Sequence, residues 1–145
     1  MKPTPKIVLL PLLVALAGAC VSRPTQEETD LLAPTEEQMK LRSFQSRTFD
    51  VADRTQAMRG VIAALQDLGF IIERANDSMG VVTAARFAEP RYYDVMGVTV
   101  TVRPQGEGKM LIRANAIYNN APVTDPKVYQ NFFATLERSL FIGRN

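Results

Sequence analysis

From residue 43 onward, apolar positions follow two periods. Residues 43–49 hold Thr48 and two phenylalanines and predict a strand. A spacing of three and four then joins Ala57, Met58, Val61, Ile62, Leu65 and Leu68 into one helical face. Asp53, with Gln56 three residues on, has the spacing of a carboxylate capping box at its start. Gly69 suits the left-handed position at its end and places Phe70 to fold back on Leu65, as in a Schellman motif. Gly60 lies inside the helix at a cost of about 1 kcal/mol relative to Ala, which a close helix-to-sheet approach explains. Strands at 70–75 and 81–87 flank the turn Asn76-Asp77-Ser78-Met79-Gly80 and read as a hairpin. Val98, Val100 and Val102 alternate with Thr99, Thr101 and Arg103 in a half-buried strand at 95–103. Its partner at 109–118 turns Ile112, Ala114 and Ala116 inward and Arg113 and Asn115 outward. Thr124-Asp125-Pro126 opens a last helix with the stripe Val128, Tyr129, Phe132, Phe133, Leu136 and Leu140, and Gly143 stops it.

The order is β-α-β-β-β-β-α, which predicts a two-layer α+β domain with an antiparallel sheet. Each helix has one apolar face, so both are expected on the same side of the sheet. The other side then carries Thr99, Thr101, Arg103, Arg113 and Asn115, with Arg47 or Arg86 as possible neighbours.

The first residues follow neither period. Lys2 and Lys6 precede an apolar run of 11 residues, 7–17, interrupted only by Pro11. A membrane-crossing helix needs about 20. A charged start, a short apolar centre and then Ala17, Gly18 and Ala19 spell a secretory signal. Residues 21–42 hold prolines, threonines and the pairs Glu27-Glu28 and Glu36-Glu37, a composition that buries too little apolar surface to order itself. Thr35 to Gln38 has capping-box spacing, so a short helix over 36–40 can form there. The expected organisation is a signal peptide at 1–19, Cys20 and a flexible tether at 20–42, and one domain at 43–145.

Charge changes meaning once the signal is set aside. The chain has 17 Lys+Arg and 15 Asp+Glu among 145 residues. Lys2 and Lys6 leave with the signal, which holds no acid, so the mature chain has 15 of each sign. Nucleic acid is therefore disfavoured, and an electrostatic partner has to be recognised by a local patch. Arg outnumbers Lys 12 to 5, and Arg suits bidentate recognition of carboxylates or phosphates.

Composition also narrows the chemistry. With no His there is no imidazole base, no His ligand and no Ser-His-Asp or Cys-His pair. One Cys forms neither an internal disulfide nor a thiolate cluster. Gly106-Glu107-Gly108-Lys109 lacks the phosphate-loop spacing, and the turn at 76–80 lacks the bidentate Glu of a calcium loop. No catalytic residue, metal or cofactor is expected.

Two resemblances add to this reading. Leu16-Ala17-Gly18-Ala19-Cys20 resembles the lipobox of bacterial lipoproteins, with Ala17 where Leu is commonest. The resemblance implies cleavage before Cys20 and acyl chains on it. Each buried methylene adds about 0.8 kcal/mol, so two or three chains anchor firmly. Val21 in place of Asp implies, by the sorting rule of that class, the outer membrane. Secondly, Arg47-Thr48-Phe49-Asp50, the run from Leu65 to Ile72, Tyr129-Gln130-Asn131-Phe132-Phe133 and Ser139-Leu140-Phe141-Ile142 resemble small proteobacterial outer-membrane lipoproteins. The element order is similar to the helix-grip C-terminal domains of the lipoprotein C subunit of the β-barrel assembly machine.

The expected protein is a lipid-anchored, periplasm-facing, non-enzymatic binding or scaffold module for an envelope partner protein. Its expected contact residues are Thr99, Thr101, Arg103 and Arg113 on the sheet, and Tyr92 and Tyr93 in the loop 89–94. The alternative is a small-ligand or lipid carrier with a cavity between the sheet and the C-terminal helix, lined by Tyr129, Phe132, Phe133, Ile112 and Val100. A dense core there eliminates the alternative, and an apolar pocket of several hundred Å³ raises it. An enzyme predicts instead a cleft with converging carboxylates of raised pKa.

Overall fold

The computed structural model describes residues 33–87 and 94–142. Cys20, Tyr92, Tyr93, Gly143 and the expected signal segment at 1–19 lie outside the described residues. The elements are α1 (Glu36–Gln45), β1 (Ser46–Phe49), α2 (Arg54–Asp67), β2 (Ile71–Asn76), β3 (Val81–Phe87), β4 (Val95–Pro104), β5 (Met110–Tyr118), β6 (Ala121–Pro122) and α3 (Pro126–Ile142). All strands pair antiparallel in the order β1-β5-β4-β3-β2, and β6 adds to β5. The protein is the expected two-layer α+β domain.

Caps fix where the helices begin and end. At α1 the capping box is complete: Gln38 N–H donates to Thr35 Oγ1 at 3.2 Å, and Thr35 N–H to Gln38 Oε1 at 3.1 Å. The helix runs on to Gln45, so the folded unit begins at Pro34 and the expected strand loses its first three residues. At α2, Asp53 accepts from Thr55 N–H at 2.9 Å, one position earlier than the capping-box spacing places the bond. The Schellman turn closes as expected, with Phe70 N–H on Leu65 O and Gly69 N–H on Gln66 O, both 2.9 Å, and Gly69 at φ +80°. At α3, Asp125 Oδ1 accepts from Lys127 N–H at 2.9 Å.

Both long helices lie on one side of the sheet. The core joins Ala57, Met58, Val61, Ala64 and Leu65 of α2 and Tyr129, Phe132, Phe133, Leu136 and Leu140 of α3 to the inward residues of β3, β4 and β5. The two helices run antiparallel and meet tightly at Gly60, where a Cβ would sit 2.5 Å from Leu140 Cδ2. The close approach that Gly60 permits is thus to α3, not to the sheet. Gly80 is required too: its φ is +64°, and a Cβ would lie 2.3 Å from the Val102 carbonyl oxygen.

On the edge of β5 between β1 and β6, the Ala116 carbonyl accepts from Val123 N–H at 2.9 Å, and side chains fill the rest of the gap. Tyr129 Oη donates to Val123 O at 2.6 Å and accepts from Gln45 Nε2 at 3.2 Å and Ala116 N–H at 3.4 Å. Gln45 Nε2 also reaches Asn115 Oδ1 at 3.3 Å. This buried network explains why α1 packs onto the domain instead of extending a tether. Among the described residues no helix is long and apolar enough to cross a membrane.

Candidate functional site

The outer face of the sheet carries the residues expected there. Thr101 pairs with Arg113, Thr99 with Asn115, and Arg103 with Leu111 across β4 and β5. With Gln45 they line a shallow concavity of about 480 Å³. Arg103 and Arg113 form no ion pair among the described residues.

Arg47 and Arg86 do not join them. Arg47 pairs with inward Ile112, so its side chain takes the helix side, 5.2 Å from the centroid of the Phe133 ring and 3.8 Å from Glu137. Arg86 pairs with inward Met96 and also faces the helix layer. The far half of the outer face is mostly apolar: Ile71, Phe87, Val95 and Ile117 are exposed there, beside Ala85 and Gly97, with Glu73, Asn119 and Asn120 at its margin. The alternation Val95, Gly97 and Thr99 carried that signal, as did Ala85 and Phe87.

The second feature is a cleft on the helix side. From Gly60 onward α2 and α3 diverge, and the sheet beneath changes from Ile112 to Ala114 and Ala116. Large residues fill the tight end; two methyl groups leave the other end open. The resulting cleft holds about 380 Å³. Its floor is Leu65, Phe70, Met96, Val98, Ala114, Ala116, Tyr129 and Phe132, all buried. Its rim includes Arg86, Lys127 and Asn131, all exposed. Of the lining expected for such a cavity, Tyr129 and Phe132 are present. Phe133, Ile112 and Val100 are packed in the closed core instead, because they belong to the tight end.

Arg86 is the best-fixed group on this rim. Its Nη1 donates to Leu68 O at 3.0 Å, satisfying a carbonyl left open at the C-terminus of α2. Its guanidinium lies 4.8 Å from the centroid of the Phe70 ring, and Nη2 is 3.8 Å from Met96 Sδ. The remaining N–H groups have no protein acceptor among the described residues. Arg86 shares parity with Val82 and Ala84 along β3, so its inward direction was readable from the sequence. Lys127 carried no comparable signal, since it lies beside the apolar stripe of α3 and not in it.

Among the described residues, carboxylates do not converge at either surface. Among the described residues no group of three metal-ligating side chains occurs. Asp94 accepts from the Tyr118 hydroxyl and from Asn119 Nδ2, the latter at 2.8 Å. These bonds favour its charged form and hold its carboxyl below the usual range. A general acid working near neutral pH needs the opposite shift. No family model matches the chain, and no curated protein matches it either.

Proposed function

We propose that this chain is a lipid-anchored, periplasm-facing binding module of the outer membrane, non-enzymatic, with the cleft between sheet and helices as its ligand site. The cleft carries the proposal: a floor of buried apolar side chains and a rim of a few fixed polar groups is the make-up of a small-ligand site, and 380 Å³ is within the usual range. The lipobox resemblance at Cys20 supports the anchoring, and Val21 after it supports the outer membrane.

A second reading, a scaffold for an envelope partner protein, rests on the outer sheet face. There an exposed apolar end adjoins an arginine end at Arg103 and Arg113, a combination that suits a protein interface.

One crosslinking experiment in intact membranes separates the two. A photoreactive residue replaces Val128 at the cleft in one strain and Thr101 on the outer face in another. A small-molecule adduct at position 128, with only background at 101, is the expected outcome. A discrete protein adduct at 101 with nothing at 128 would transfer the function to the outer face. In the same cells Cys20→Ser is expected to abolish fatty-acid labelling; continued labelling would sink the anchor.

A further inference from the structure

The cleft is apolar within, yet two of its exposed side chains are cationic, and among the described residues neither is neutralised. Arg86 and Lys127 have no carboxylate partner among the described residues. Among the described residues the ion pairs use other side chains: Arg47 with Glu137, and Lys109 with Asp50. Arg86 is held before any ligand arrives, by the Leu68 carbonyl and the Phe70 ring. An anion at the rim therefore meets a guanidinium whose ordering cost is already met by the fold. At roughly 30 Å³ per water-sized group, the cleft takes on the order of a dozen such groups. That suits one alkyl chain.

We propose that the cleft binds a single-chain amphiphile with an anionic head, its alkyl chain against Phe70, Met96, Val98 and Phe132 and its oxyanion on Arg86 and Lys127. The head is a carboxylate or a phosphate, since a guanidinium receives either through paired N–H donors. The inference rests on the cleft being the ligand site and adds the ligand's chemical class.

The test uses the full chain in its own membrane, with a mid-length fatty acid bearing a mid-chain diazirine as the probe. After irradiation the chain is isolated and its labelled peptides are mapped. Label is expected on the peptides that hold Met96, Val98 and Phe132. Excess unlabelled carboxylate of the same length should suppress it about tenfold more effectively than the matching alcohol. Alkyl phosphate is the third competitor, and whichever anion competes better identifies the head. Arg86→Gln combined with Lys127→Gln should cut the label about tenfold, and Arg86→Lys should keep most of it. Because Arg86 also closes the end of α2, thermal unfolding is followed in each variant. Should Arg86→Gln destabilise the fold, Lys127→Gln decides alone, with an expected loss of about threefold.

Equal competition by alcohol and carboxylate, with label unchanged in the charge variants, would overturn the anionic head and leave the cleft as an apolar site. Label spread evenly over the outer face, or absent from the cleft peptides, would overturn the ligand class and the cleft together.

Discussion

A buried hydroxyl and a surface guanidinium show how neighbours assign roles in this chain. Tyr129 belongs to the aromatic stripe of α3, and most of its ring is core. Its Oη ties three separate segments together: the carbonyl of Val123 before α3, the amide of Ala116 on β5, and Gln45 at the end of α1. Removing that oxygen leaves buried polar groups without a partner, which costs about 1–3 kcal/mol. Tyr129→Phe is therefore expected to lower the unfolding free energy by about 2 kcal/mol. Amide exchange should rise first in α1, whose Gln45 loses its anchor. An unchanged denaturation midpoint would show that water replaces the hydroxyl at no cost. Arg86 and Arg103 make the complementary point. Both are exposed arginines on strands, but one is pinned against a ring and a carbonyl while the other has neither among the described residues, and the residue type alone does not distinguish them.

At the scale of elements, local signals settled local structure. The Thr35 box, the Asp53 and Asp125 caps and the turn through Gly69 to Phe70 all depend on residues within five positions of one another, and each forms. Strand alternation likewise placed Val100 inward and Thr101 outward. What failed to be legible depends on distant partners. Nothing near Gln45 announces Tyr129, 84 residues away, so the sequence reads as a short helix over 36–40 and a strand from residue 43, where α1 in fact runs on to Gln45. Ala121 and Pro122 are too short a strand to show a period. Arg47 lay close to the outward set only while the register of β1 on β5 was unknown. Gly60 was legible as a close approach but not as to what. Its neighbour in α3 sets the expected outcome of Gly60→Ala. Helix propensity favours Ala by about 1 kcal/mol, but forcing a methyl against Leu140 costs about 1–3 kcal/mol. The side chain of Leu140 is itself buried, so it has little room to swing. A net loss of about 1 kcal/mol is expected by chemical denaturation. A net gain would show that α3 moves away readily and that the α2–α3 contact is loose.

Across the whole molecule, one helix pair does two jobs. Its tight end, with Gly60, Leu136 and Leu140, completes the core. Its open end, above Ala114 and Ala116, leaves a cleft that a stability-optimised core would fill. The same sheet carries polar and apolar halves outside, so charge acts here through local patches. A chain with 17 basic and 15 acidic residues has little net field to steer a partner. Small residues under the cleft therefore read as a functional cost, and they can be tested as one. Ala116→Val adds two carbons to the floor, at about 0.8 kcal/mol each when fully buried. Valine also suits a strand better than alanine does. Because the cleft is open to water on its rim, a gain of about 1 kcal/mol in unfolding free energy is expected. Photolabelling by the fatty-acid probe should fall about tenfold in the same protein, as the added methyls occupy the path of the alkyl chain. A more stable protein that binds less would show that the fold gives up packing for a site. A more stable protein that binds as before would place the ligand elsewhere, and a less stable one would mean that Tyr129 and Val98 already close over Ala116.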